Sequence, residues 1–120
     1  MSEGASSPVT AEDVIKEIAR MIKAFVRCRM YSFADRLANA ASKEVVEAAL
    51  YEALRVARSA QDAGRPLCED GQQRVMPYVA SEKSVRFVLD LLDRDLVEGL
   101  ELVRKIAIRA VAFPSRRESE

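Results

Sequence analysis

Apolar side chains recur every three or four positions near the start of this chain, the spacing of one face of an amphipathic α-helix. The residues with this spacing are Val14, Ile15, Ile18, Met21, Ile22, Phe25 and Val26. Basic residues lie on the opposite side, within about 60° of one another at about 100° per residue: Lys16, Arg20, Lys23 and Arg27. The pattern predicts a helix with one face in a protein core and a purely basic face opposite.

These four cations, which we call the basic stripe, belong to a chain with no net charge, since 19 Lys and Arg balance 19 Asp and Glu. Cations one helical turn apart suit a polyanion such as the phosphate backbone of RNA or DNA. A solvated helix face with no ligand is the alternative interpretation, because exposed helix faces are ordinarily charged. The sequence leaves both interpretations open.

The limits of the first two helices follow from a capping signal at Thr10 and from the position of Arg29. Thr10 with Asp13 resembles a capping box that opens the first helix. That helix should end near Cys28, because continued helical phase would put Arg29 on the apolar face. We therefore predict a break over residues 29–32 and a short second helix over 33–40. A buried, paired Arg29 in a longer helix is the alternative.

Later segments carry clear start and stop signals. Ser42 is a good N-cap for a third helix, and Gly64 stands where a helix C′ residue belongs. Ser81 caps the next helical region. Residues 85–110 fit one long helix with Gly99 inside it, or two helices with Asp95 as the second N-cap. We favour two, since glycine inside a helix costs about 1 kcal/mol relative to alanine.

Residues 66–80 differ from the rest of the chain and predict a small β-hairpin. Asp70-Gly71 is a tight-turn dipeptide between two short strand-like runs, and Pro77 limits the second strand. The fold class is therefore mainly α, an irregular bundle of four to five helices with a small β-hairpin insertion. We predict a disordered segment over residues 1–9, a single helical domain over 10–114 and a charged tail over 115–120.

Several function classes are disfavoured by composition. The chain has no histidine, which removes the commonest general base and metal ligand. It has no glycine-rich phosphate loop, and no apolar run approaches the roughly 20 residues that span a bilayer. We predict no enzymatic activity, no cofactor, no metal site, no small-molecule substrate and no membrane contact. Cys28 and Cys68 lack metal-ligand spacing and are interpreted as free thiols in a reducing cytoplasm, with a disulfide as the alternative.

A second candidate surface lies on the outer face of the third helix. Tyr51, Arg55 and Arg58 fall close together there, so the ring could stack on a base while the guanidinium groups hold phosphates. In the alternative, the tyrosine packs at the rim of the core and Glu52 pairs with Arg55. The predicted nucleic-acid-binding residues are thus Lys16, Arg20, Lys23, Arg27, Arg55 and Arg58.

Four strings of sequence, in this order, carry a family resemblance. They are Tyr31-Ser-Phe-Ala-Asp-Arg-Leu-Ala-Asn-Ala, Ser42-Lys-Glu-Val-Val-Glu-Ala-Ala-Leu-Tyr, Met76-Pro-Tyr-Val and Val103-Arg-Lys-Ile-Ala-Ile-Arg-Ala-Val-Ala. From residue 12 to 112 the chain resembles the small subunit of archaeal type I-A CRISPR interference complexes, the Cascade-like effectors.

The resemblance implies a mostly helical, non-catalytic subunit that contacts other effector-complex subunits and helps to hold the guide RNA or target DNA in antiviral defence. Because the chain is neutral, we expect weak affinity for nucleic acid, useful when several copies are held in an array. Self-association remains open. The alternative function is a helical adaptor or oligomerisation module with no nucleic-acid role.

Overall fold

In a computed structural model of the protein, residues 9–71 and 73–112 are described, and they form five helices and one two-stranded hairpin. In chain order the elements are α1 (Ala11–Arg27), α2 (Ser32–Ala38), α3 (Lys43–Asp62), β1 (Cys68–Asp70), β2 (Gln73–Val75), α4 (Glu82–Arg94) and α5 (Leu96–Val111). The mainly α fold class with a small hairpin is confirmed. Residues 1–8 of the predicted disordered segment over 1–9, and the predicted tail over 115–120, lie outside the described residues.

Four of the helices begin at a side chain that accepts a hydrogen bond from a backbone N–H three residues later. Those N-caps are Thr10, Ser42, Ser81 and Asp95. Each satisfies one of the N–H groups that a helix start leaves without a partner. Asp95 separates α4 from α5, with an extended φ of −153°. The favoured division into two helices is therefore confirmed.

Two helices end in the same backbone motif. After α3, the N–H of Gly64 donates to Gln61 and that of Arg65 to Ala60, both at 3.0 Å. This is a Schellman motif, and Gly64 has the positive φ of 68° that its C′ position requires.

After α1, Arg29 occupies the equivalent C′ position with φ 63°. Its N–H donates to Val26, and the N–H of Met30 donates to Phe25, both at 2.9 Å. The predicted break is confirmed. The alternative of a buried Arg29 is wrong, since Arg29 is exposed.

The core is built by α5 packing against α1, α2 and α4, with α3 closing the other side. The predicted apolar face of α1 is buried, and Phe25 lies against Phe33 of α2 with ring centroids 4.6 Å apart. Where α4 turns into α5 the helices approach closely, since a Cβ on Gly99 would stand 2.9 Å from Cα of Leu92. No described helix has the length and apolar character needed to cross a membrane.

The hairpin pairs Cys68 with Val75 and Asp70 with Gln73 in antiparallel register. Gly71 turns the chain with φ 62°. The second strand ends at Val75, two residues before Pro77. Among the described strand residues Val75 is buried, yet none belongs to the contiguous core cluster.

A disulfide joins Cys28, the C-cap of α1, to Cys68 of β1, with their Cα atoms 5.9 Å apart. The prediction of two free thiols is therefore wrong. That prediction relied on the spacing of the two cysteines along the sequence, where 40 residues separate them. The folded chain places the start of the hairpin beside the end of α1, and sequence spacing carries no information about that contact.

Candidate nucleic-acid interface

The basic stripe lies on the outer face of α1. Lys16, Arg20 and Arg27 are exposed, and Lys23 is half-buried. Within residues 9–71 and 73–112, none of the four forms an ion pair with a carboxylate. Their charge is therefore available to a ligand from outside the described chain.

Three residues of the stripe line one shallow groove of about 220 Å³ together with Ala19 and Arg109 of α5. We call this site the basic groove and define it by Lys16, Arg20, Lys23 and Arg109. Arg27 does not line it and stands one turn further along α1. Arg109 is not among the residues predicted from the sequence to bind nucleic acid. Its only local signal is its position in the last turn of α5, where the helix dipole alone favours a cation.

Two contacts orient cations of the groove. The Arg20 guanidinium stacks over the Tyr78 ring, 4.3 Å from its centroid. Lys23 Nζ donates to the Ala112 carbonyl at 3.0 Å. Such contacts reduce side-chain freedom before a ligand arrives, which lowers the entropic cost of binding.

Two carboxylates of α1, those of Glu12 and Glu17, form contacts within the described fold. Glu12 Oε2 pairs with Nη2 of Arg109 at 3.0 Å. Glu17 accepts hydrogen bonds from the Ser81 N–H at 2.7 Å and from the hydroxyl of Ser84, so it holds the start of α4 against α1. Among the described residues no carboxylate lines the groove, and of its four cations only Arg109 is paired with one, so the groove is electropositive.

The α3 surface forms a separate site. Tyr51, Arg55 and Arg58 share a groove of about 770 Å³ with two acidic residues, Asp62 and Glu82. Acidic and basic groups at one site give it a mixed potential, unlike the basic groove.

The alternative interpretation of this surface is wrong in one respect. Glu52 pairs with Arg36 of α2 at 2.9 Å and does not pair with Arg55. Within the described part of the chain, Arg55 and Arg58 form no ion pair. Of the six predicted binding residues, the structure brings Lys16, Arg20 and Lys23 together and leaves the others outside that groove.

The described residues contain no cluster of histidine, cysteine, aspartate or glutamate that could hold a metal ion. Fold and groove together define a small, mainly helical protein with a candidate polyanion-binding surface.

The chain belongs to the CRISPR-associated protein (Cas_Csa5) family, a small-subunit family of type I-A systems, whose family model matches residues 20–113. The predicted family resemblance is confirmed. No curated protein and no solved structure matches the sequence.

Proposed function

We propose that this protein is a non-catalytic small subunit of a CRISPR ribonucleoprotein effector complex, acting in the cytoplasm in antiviral defence. Family membership supports other CRISPR components as its partners. Its contribution to the complex is weak, sequence-independent contact with guide RNA or target DNA, together with packing against neighbouring subunits.

The basic groove is the observation that carries the nucleic-acid part of this proposal. Lys16 and Lys23 are seven positions apart, about 10 Å along a helix axis. A duplex strand presents one phosphate per about 3.4 Å, so the groove faces about three phosphates. Contacts to phosphate fix position and carry no sequence information. So few contacts give low affinity for one copy, and an array of copies would multiply it.

A stripe on the outer face of α5 supports packing between copies. It contains Val97, Glu101, Arg104, Ile108 and Val111, which we call the α5 stripe. Val97 and Ile108 are 75% and 62% exposed. Two copies related by a two-fold axis, with antiparallel α5 helices, would place Val97 of one against Ile108 of the other. The same operation places Glu101 opposite Arg104 twice, so the stripe is complementary to itself.

That stripe also favours the second candidate function, a helical oligomerisation module with no nucleic-acid role. The two functions differ in whether the basic groove binds a ligand. The α5 stripe is common to both.

Binding is tested by titrating a labelled single-stranded oligonucleotide of mixed sequence, as DNA and as RNA, with the double variant Lys16→Gln/Arg20→Gln. The matched control Lys83→Gln/Arg86→Gln removes the same charge from exposed positions of α4 outside the basic groove. We expect the groove variant to bind more weakly than wild type and the control to bind like wild type. Equal affinities for the two variants would show that the basic groove does not bind the oligonucleotide.

Self-association is tested by analytical ultracentrifugation of Val97→Asp. Val45→Asp is the control, since Val45 is a 42% exposed valine on α3. We expect the α5 variant alone to lose self-association. If wild type associates through this stripe and neither nucleic acid binds it, the oligomerisation module is the correct function.

A further inference from the structure

The hairpin is attached to the helices mainly by its disulfide. Its strands are three residues each and give no described side chain to the core cluster. Val75 is the buried strand residue, and Leu67 packs at the edge of the core. A two-stranded hairpin of this size is marginal in water without further support. The Cys28–Cys68 bond supplies that support.

The chain on either side of the hairpin is anchored independently of the disulfide. Before it, the Schellman motif at Gly64 fixes the end of α3. After it, Glu17 holds the Ser81 N–H at 2.7 Å. Pro66 and Pro77 stand just inside these two anchors and limit the backbone there. Loss of the disulfide would therefore free a short loop and leave its two ends in place.

The end of α1 does not depend on the sulfur atoms either. The backbone N–H groups of Cys28, Arg29 and Met30 close its last turn onto carbonyls of the same helix. Both cysteines are half-buried, so a small thiol can reach the bond. The disulfide thus joins a helix that stands without it to a hairpin that is marginal without it.

We propose that the Cys28–Cys68 disulfide is a redox-sensitive clip whose reduction releases strands β1 and β2 of the hairpin while the five helices stay folded. The reductant is a dithiol. Its thiolate attacks one sulfur to form a mixed disulfide, and its second thiolate displaces the protein sulfur. Two electrons and two protons pass to the protein, which gains two thiols, and the dithiol becomes a disulfide. Cytosolic disulfides occur chiefly as redox sensors or in hyperthermophiles.

The clip lies at the end of the basic stripe, because Cys28 directly follows Arg27. Release of the hairpin would therefore change the surface beside Arg27, one turn beyond the basic groove. The clip itself does not depend on the proposed nucleic-acid function, because its test measures only hairpin order.

Amide hydrogen exchange of the full chain, purified without reductant and then treated with dithiothreitol, tests the clip. In the oxidised protein the Leu67 N–H donates to the Val75 carbonyl at 2.8 Å. On reduction we expect hairpin amides to exchange at least about tenfold faster, as in a local opening, while helical amides stay protected. Trypsin cleavage after Arg74, an exposed residue of β2, should accelerate in parallel.

The variant Cys28→Ser/Cys68→Ser is the control. Its hairpin amides should exchange as fast as those of the reduced protein, and dithiothreitol should not change their exchange rates. Unchanged hairpin protection after reduction would show that non-covalent contacts hold the hairpin and would overturn the proposal. Loss of the helical circular dichroism signal on reduction would overturn it as well, since the bond would then support the whole fold. The proposal would also be overturned if the untreated protein contained two free thiols.

Discussion

The salt dependence of nucleic-acid binding follows from the number of cations that the basic groove offers. Lys16, Arg20 and Lys23 have no carboxylate partner in the described structure, whereas Arg109 is paired with Glu12. About three phosphates are therefore neutralised per copy. With a slope of about −0.7 per phosphate for a single strand, log affinity should fall with log salt with a slope of about −2. Between about 50 and 200 mM salt, the affinity of one copy should drop about 20-fold.

Lys16→Gln/Arg20→Gln removes two of the three contacts. Its slope should fall to about −0.7, and the same change in salt should then weaken binding only about threefold. Fluorescence anisotropy across a salt series measures both slopes, with concentrations kept low enough to titrate one copy.

The control Lys83→Gln/Arg86→Gln should keep the wild-type slope, because those residues lie on α4 outside the groove. If all three proteins share one slope, counterion release occurs somewhere other than the groove. A wild-type slope near zero would exclude phosphate contacts altogether.

Three further predictions concern the scaffold. Gly99→Ala should destabilise the fold by about 1–2 kcal/mol, because overpacking against Leu92 outweighs the gain in helix propensity; urea unfolding measures it, and a neutral result would contradict the close approach. Glu17→Ala should cost about 1–3 kcal/mol by leaving the buried Ser84 hydroxyl without its acceptor, and Glu17→Gln should recover part of the loss in the same assay. The hydrogen bond to Asp93 raises the pKa of Lys43 above its ordinary 10.5. The contribution of this pair is therefore complete below pH 10.5 and lost as pH rises through the folded pKa, so Asp93→Asn should alter stability equally at pH 7 and 9 and less above pH 11.

Much of the candidate site was predictable from periodicity. The relation between Lys16, Arg20 and Lys23 depends on one helix and one repeat, so the sequence places them on a common face. Arg109 belongs to the same groove only because α5 packs along α1. Its ion pair with Glu12 spans 97 positions, and no local pattern reports such a contact.

On the surface of α3, a contact predicted within one helix is replaced by a contact with a neighbouring helix. Spacing along one helix allowed Glu52 to pair with Arg55, a neighbour one turn away. In the fold Glu52 instead meets Arg36 of α2 at 2.9 Å. Which partner a long side chain takes depends on the neighbouring helix, and that choice is invisible in the sequence.

The sequence by itself determined where four of the helices begin and where α3 ends. Thr10, Ser42, Ser81 and Asp95 each act on a backbone N–H three residues away, and Gly64 acts on its own φ. These interactions are local, so composition and spacing suffice to predict them. The tertiary structure alone decided that Cys28 bonds to Cys68 and that Arg109 completes the basic groove. It also decided that Leu92 packs closely against Gly99. Each of those contacts joins different elements, and packing of the helices sets the distances between them.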